Sequence, residues 1–407
     1  MIEPAAAPAT TLRRALSDFG PAYAANGLIG FVFAATGPVA VILSVASRGG
    51  LSQAEIASWV FGSFFVNGLL TLIASWRYRL PLAFFWTIPG TVLVGPALTH
   101  LRFTEVVGAF VATGLLMLLL GASGWVRRAM RAVPMPIVMG MVAAVFLRFG
   151  VDLVRAVHHD VPIAVPMVLA FVLLHVWPAA GRRMPPMIGT LLVGVIAVAA
   201  SGRFDATGHG GAVFAHPVLQ APEWSWQAMV ELVVPLAITV LVVQNGQGVA
   251  VLKAAGHDAP VNAVTMGCGL WSMLTACVGT VCTCLTGPTN AILSSSGERH
   301  RHYTGALLVG ALAVVFGLMS PLFTRAMLAA PPAFIATLAG LAMLRVLQGA
   351  FTTAFGGRFS LGALVTFVVT VADIALLNIG AAFWGLIAGF AVSWLLERGD
   401  FAHADRT

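Results

Sequence analysis

The chain has 407 residues, 59% hydrophobic and 9% charged, with a mean hydropathy of +0.94. Soluble domains carry about 25% charged residues, so this composition excludes a globular enzyme with a buried core and describes a polytopic membrane protein. The formal net charge of +7 would suggest nucleic acid or acidic lipid in a soluble chain. Here it reads as loop arginines that orient the chain in a bilayer, and no nucleic acid partner is expected.

Met1 to Ala24 carry Arg13 and Arg14 but lack the charge, short apolar core and small-residue cleavage site of a signal peptide. The first span is therefore expected to direct insertion. Apolar runs of about 20 residues then recur from Gly27 to Leu396. They divide into fourteen segments. The first seven are 22–47, 56–77, 82–99, 104–122, 134–154, 162–180 and 185–201. The second seven are 228–253, 260–281, 284–297, 302–322, 330–348, 360–379 and 380–396, the last two divided near Asn378-Ile379-Gly380. The polar interval 202–227 between the halves, with its Gly, His, Pro and Trp content, suits an extramembrane loop with interfacial aromatics.

With the N-terminus inside and an even number of spans, only Arg48, Arg102, Arg148, Arg155, Arg203 and Arg325 fall outside; the other sixteen of the 22 basic residues fall inside. That bias predicts cytoplasmic N- and C-termini. The halves also match one another. Val39-Ala40-Val41-Ile42 echoes Val249-Ala250-Val251-Leu252, Pro134 and Arg148 echo Pro331 and Arg345, and Thr87 and Pro89 echo Thr286 and Pro288. Matched pairs stand seven spans apart, an odd number, which predicts a 7+7 inverted repeat.

Trp86-Thr87-Ile88-Pro89-Gly90-Thr91 in segment 3 and Leu285-Thr286-Gly287-Pro288-Thr289-Asn290 in segment 10 each interrupt an apolar stretch with a Thr-x-Pro helix start. Extended stretches (Leu82 to Trp86, Cys282 to Leu285) should lead into half-helices that begin near mid-membrane, where non-helical backbone needs protein or a water-filled cavity around it. Two half-helix N-termini facing one cavity would attract an anion. The alternative is a pair of proline kinks in ordinary helices.

Segment 8 carries Gln244-Asn245-Gly246-Gln247-Gly248, opposite Ala34-Ala35-Thr36-Gly37-Pro38 of segment 1. Buried amides require partners, and these are expected to line a substrate cavity rather than to act as packing glue between helices. Phe31, Phe33, Phe84, Phe85 and Trp86 cluster around the same region and could pack against an aromatic ring. Of the acids inside spans, Glu105, Asp152 and Glu231 lie near ends, whereas Asp373 lies mid-segment and is the proton-coupling candidate by position. Arg148 and Asp152 are spaced to pair with each other. Cys268, Cys277, Cys282 and Cys284 read as small packing residues; neither a metal nor a cofactor is expected. Gly385 and Gly389 form a small-xxx-small pair that could pack helices within a protomer or between the two of a homodimer.

Four stretches carry a resemblance: Gly287-Pro288-Thr289-Asn290-Ala291, Arg299-His300-Arg301-His302-Tyr303, the run from Pro332 to Leu344, and Phe355-Gly356-Gly357-Arg358-Phe359. They resemble the benzoate:proton symporter family of bacterial inner membranes, over nearly the whole chain and most specifically from Gln244 to Glu397. The resemblance implies an all-α, uracil-transporter-like fold. A core domain (22–122 and 228–322, segments 1–4 and 8–11) would move against a gate domain (134–201 and 330–396, segments 5–7 and 12–14). Substrate would lie between segments 3 and 10, beside segments 1 and 8. Nucleobase members of the fold typically offer a carboxylate from segment 8, where this chain has Gln244 and Asn245. The change suits a carboxylate substrate, because like charges repel, and it removes the obvious proton carrier.

The reading is thus a secondary-active importer of benzoate or a related small aromatic carboxylate, working by proton symport and alternating access. The substrate-binding set is Thr87, Ile88, Pro89, Gly90, Thr91, Gln244, Asn245, Gln247, Thr286, Gly287, Pro288, Thr289 and Asn290, with Phe33, Phe84 and Phe85 around the ring. The rival readings are a nucleobase or inorganic-anion carrier on the same fold and, remotely, a membrane-embedded enzyme. The enzyme lacks support: there is no His-Glu-x-x-His pattern, and His175 alone among the histidines lies within a span.

Overall fold

The computed structural model describes residues 3, 8–126, 134–177, 184–203, 212–295, 297–374, 376 and 380–404. Arg127, Arg128, Arg131, Arg182, Arg183 and Arg406 of the topology argument, and Asn378 and Ile379 of the last predicted turn, lie outside these residues. Among the described residues the fold is all-α apart from two three-residue strands, and each of the fourteen expected segments contains a helix. Among the described residues, seven helices are long and apolar enough to cross a membrane: Pro21–Arg48, Gln53–Tyr78, Phe103–Ser123, Met135–His159, Trp226–Ala254, Arg299–Leu318 and Pro332–Phe355. Shorter apolar helices span Ile88–Ala97, Val161–Val176, Pro186–Ala200, Ser360–Ala372 and Ala381–Leu396.

Local chemistry explains where these elements break. Segment 1 is two helices, Pro21–Ala35 and Gly37–Arg48, separated at Thr36. Pro38 cannot donate to the ladder, and the Thr36 hydroxyl donates instead to the carbonyls of Val32 and Phe33 at 2.9 and 3.2 Å. Gly37 at the break packs directly against Ala342, where a Cβ would collide. Segment 11 ends at Leu318, and a separate helix, Ser320–Leu328, follows with Pro321 in its first turn. Segment 13 ends at Ala372, short of the expected 379, because Asp373 adopts left-handed backbone (φ 53°).

The strands β1 (Phe84–Trp86) and β2 (Thr283–Leu285) pair antiparallel, with Phe84 opposite Leu285 and Trp86 opposite Thr283. Each immediately precedes its half-helix, Ile88–Ala97 in segment 3 and Gly287–Leu293 in segment 10. Within a bilayer every backbone polar group needs a partner inside the protein. The pair is extended by the Thr87 N–H to the Cys282 carbonyl (3.0 Å) and the Thr286 N–H to the Ala83 carbonyl (3.1 Å). Side chains then cover the free edges. Thr71 Oγ1 accepts from the Phe84 N–H (2.8 Å), and Ser272 Oγ, at the equivalent place in the other repeat, accepts from the Thr283 N–H (2.9 Å). Asn290 Oδ1 accepts from the Ala83 N–H (2.9 Å) while its Nδ2 donates to the Thr286 carbonyl (2.7 Å). Asn245 Oδ1 accepts from the Leu285 N–H (2.8 Å).

Packing gathers around two apolar clusters. One joins segments 1–4 with 8–11 through side chains such as Trp59, Phe64, Phe84, Phe110, Leu241 and Val309. The other joins segments 5–7 with 12–14 through Met141, Phe146, Met167, Phe334 and Leu386, and reaches Val41 of segment 1 and Val92 of segment 3. Gly385 and Gly389 serve packing within the chain: a Cβ on either would strike Thr366 or Thr370 of segment 13. The four cysteines are free thiols, three of them buried.

In the loop between segments 8 and 9, His257 Nε2 lies 3.1 Å from Nδ1 of His302, the first residue of the segment 11 helix, and both rings are buried. Burial, then the neighbouring His302 and Arg299, push the His257 imidazole down from 6.5 to about 4. The unfolded chain therefore takes up this proton first as pH falls. The contribution is complete above pH 6.5 and shrinks between 6.5 and about 4. Thermal unfolding of the purified protein should shift to lower temperature across that window, and His257→Gln should flatten the decline. In the strand pair, Asn290→Ala and Asn245→Ala each leave a buried backbone N–H unpaired. Each should lower unfolding free energy by roughly 1–3 kcal/mol, read from thermal or denaturant melts.

Candidate functional site

A cavity of about 750 Å³ lies where the two half-helices begin. Segments 1, 3, 8 and 10 contribute Phe33, Thr36, Phe85, Trp86, Ile88, Pro89, Gln244, Gln247, Thr286, Pro288 and Thr289 to its wall. Segments 5, 6, 7 and 12 close the other side with residues such as Met139, Phe146, Phe171, Met187 and Leu341. Nine of the predicted site residues are thus brought together around one space: Phe33, Phe85, Ile88, Pro89, Gln244, Gln247, Thr286, Pro288 and Thr289.

The others stand behind that wall. Thr87 caps its half-helix as expected, accepting from the Gly90 N–H at 3.1 Å, and is fully buried against Thr239 Oγ1 at 3.3 Å. Thr91 donates to the Thr87 carbonyl at 2.9 Å. Thr286, itself on the wall, occupies the cap position of the second half-helix without capping it; its hydroxyl donates across to the Ala83 carbonyl at 3.2 Å. Gly287 carries the Gln247 side chain against it, with no room for a Cβ. Phe84 is 1% exposed and packs into the apolar core, away from the cavity.

The amides divide sharply. Asn245 and Asn290 do not face the cavity as anticipated, because both are engaged with strand backbone. Among the described residues, by contrast, no hydrogen bond engages the side chain of Gln244, Gln247 or Thr289, and all three line the cavity. The Trp86 indole N–H, buried and unpartnered, belongs to the same wall. Behind Phe85 and Trp86, the Phe64 ring packs at 5.5 and 5.2 Å and Phe316 at 4.5 Å from Phe64, which fixes an aromatic floor. The cavity therefore offers apolar and aromatic walls with a few unpaired polar groups concentrated on segments 8 and 10. That is the composition of a site for a small amphipathic organic molecule.

Two wall residues were not foreseen. Arg345 of segment 12 bonds only Gln348 Oε1 (3.0 Å) and, among the described residues, pairs with no carboxylate. Its sequence signal, the repeat match to Arg148, reads as a topology marker until the fold places it. His175 of segment 6 also lines the cavity, with Nδ1 2.9 Å from the Phe171 carbonyl. No acidic side chain lines this cavity among the described residues.

A second cavity, about 380 Å³, is lined by the opposite ends of the same elements: Ser44 to Arg48 of segment 1, Val92 to Thr99 of segment 3, Ala144 to Arg155 of segment 5 and Glu231 of segment 8. Asp373 lines this second cavity, not the first, and the expectation of a mid-helix position is corrected. It follows the last turn of its helix, half-exposed, in an ion pair with Arg148 at 2.9 Å. Asp152, anticipated as the partner of Arg148, pairs instead with Arg48 (2.6 Å) and Arg155 (3.6 Å).

Residues 17–395 match the family described as benzoate membrane transport protein (BenE). The chain is 32% identical over 372 residues to the inner membrane protein YdcO of Escherichia coli (strain K12), covering 89% of this chain and 91% of that one. It is 25% identical over 396 residues to the benzoate membrane transport protein of Acinetobacter baylyi, covering 95% and 98% respectively. In structure it is similar to the transmembrane domain of the cyanobacterial bicarbonate transporter BicA, with a TM-score of 0.64 at 15% identity over 94% of this chain and 99% of that one.

Because the Gln247 amide has no bond to lose, Gln247→Leu should change unfolding free energy by no more than about 0.5 kcal/mol. The same melts that expose the cost of Asn245→Ala check this contrast.

Proposed function

The chain belongs to the benzoate membrane transport protein family, and on that premise we propose that it imports benzoate or a related small aromatic carboxylate by proton symport across a bacterial inner membrane. The observation that carries this reading is the 750 Å³ cavity. Its aromatic walls suit a ring, and its unpaired donors suit a carboxylate. The ring rests against Phe33, Phe85 and Trp86. The carboxylate accepts from the Gln244 and Gln247 amides and the Thr289 hydroxyl, near the start of the segment 10 half-helix. Arg345 adds a cation at the gate side of the same space, which favours anions over neutral solutes.

The two apolar clusters support a core domain (22–122 and 228–322) and a gate domain (134–201 and 330–396) that move relative to one another. With both termini in the cytoplasm, the larger cavity is the inner route to the half-helices and the smaller one the outer route. Alternating access then consists of opening one while the other closes. A nucleobase carrier is less well served, since among the described residues no carboxylate faces the cavity to accept from ring N–H groups. Inorganic anions such as bicarbonate gain nothing from the aromatic walls.

Purified protein in liposomes tests the proposal. Labelled benzoate should accumulate when the interior is alkaline, and unlabelled benzoate should compete while uracil, bicarbonate and sulfate should not. Gln247→Ala should raise KM by about 10- to 100-fold, the loss of a hydrogen bond to a charged group worth roughly 1.5–3 kcal/mol. Effective competition by uracil or bicarbonate would transfer the site to the rival substrate.

A further inference from the structure

The second cavity holds the charged groups that the substrate site does not use. Arg48, Arg148, Arg155, Asp373 and Glu231 line it. Asp152 lies behind Arg48 and Arg155, and Arg102, Glu105 and Glu223 form a further cluster at the start of segment 4. Nearly all of these acids are held by arginine: Asp152 by Arg48 and Arg155, Asp373 by Arg148, Glu105 and Glu223 by Arg102. Arginine does not release its proton in proteins, so each of these carboxylates already has a permanent cation against it.

Glu231 differs. It is 5% exposed, the most buried acid among the described residues, and its Oε2 lies 2.9 Å from His100 Nε2. Histidine is the side chain whose charge changes near physiological pH. With Nε2–H donating to Glu231, the incoming proton goes to Nδ1. The nearest hydroxyl to that nitrogen, Thr99 at 3.4 Å, already donates to the Pro96 carbonyl at 2.6 Å. The one other carboxylate–imidazole pair among the described residues, Glu298 with His300, sits on exposed surface.

The pair also sits at the boundary between the two bodies, on the core side. His100 follows the half-helix of segment 3, and Glu231 lies in a wide, π-helical turn (Met229–Val233) of segment 8. Gly380, which begins the segment 14 helix Ala381–Leu396, approaches so closely that a Cβ there would sit 2.5 Å from Glu231 Oε1. One carboxylate oxygen thus faces an imidazole on its own body, and the other faces a helix N-terminus on the opposite body. An ionised carboxylate is attracted to that N-terminus.

Resting on the symport reading above, we propose that Glu231 and His100 together form the proton-loading site of the transport cycle. Proton uptake from the outer cavity turns a pair of charge −1 into a neutral carboxylate–imidazolium pair. This weakens the hold of Glu231 on segment 14 and releases the outer closure; loss of the proton restores it.

Full-length protein in liposomes separates the coupled step from the carrier motion. Counterflow exchange of labelled benzoate at equal pH needs no net proton movement, whereas accumulation driven by a pH gradient does. Glu231→Gln and His100→Gln should abolish gradient-driven accumulation while retaining counterflow, and Asp373→Asn should retain both. Wild-type accumulation in Glu231→Gln overturns the proposal, as does loss of counterflow together with accumulation in both pair variants, which would mark a purely structural role. Wild-type protein that exchanges benzoate yet ignores the pH gradient overturns the symport reading and this proposal with it.

Discussion

A pair of three-residue strands, one from each half of the chain, is the constraint on which the rest of the structure depends. Extended backbone in the middle of an apolar slab cannot bond to itself and has no water to bond to. The only complementary partner is the same stretch in the inverted repeat, and β1 and β2 take each other. The outer edges of so narrow a ribbon still carry N–H groups, which Thr71, Ser272, Asn245 and Asn290 satisfy. This scaffold requires polar residues in otherwise apolar segments, fixes where the half-helices begin, and thereby creates the cavity in front of them.

Much of this was legible in the sequence because the underlying chemistry is local. A threonine before a proline reports a helix start wherever it occurs, and the interrupted segments, strands and matched halves follow from it. The direction of a polar side chain was not legible in the same way. Gln244 and Asn245 read alike as buried amides, yet a π-helical stretch (Thr239–Asn245) rotates the helix face there, sending one to the cavity and the other to β2. Asp373 looked central because the apolar run continues past it, while the backbone turns left-handed at that very residue. Arg345 registered as a loop charge, since nothing along the chain says which helix end borders a cavity.

The two cavities share walls without sharing chemistry. Segments 1, 3, 5 and 8 border the larger space with one end and the smaller with the other. The larger holds amides, hydroxyls and aromatic faces; the smaller holds ion pairs. The same rigid elements therefore present one chemistry at one end and another at the other. The half-helix of segment 3 borders both spaces, and the strand pair anchors its start.

Neighbouring amides with different employers have an evolutionary consequence. Asn245 and Asn290 are bound into the keystone, so replacement there threatens the whole architecture. Gln244, Gln247 and Thr289 border the cavity, and among the described residues their side chains make no hydrogen bond. A lineage carrying this fold can thus revise the lining of this cavity by drifting at three positions, with its foundations untouched.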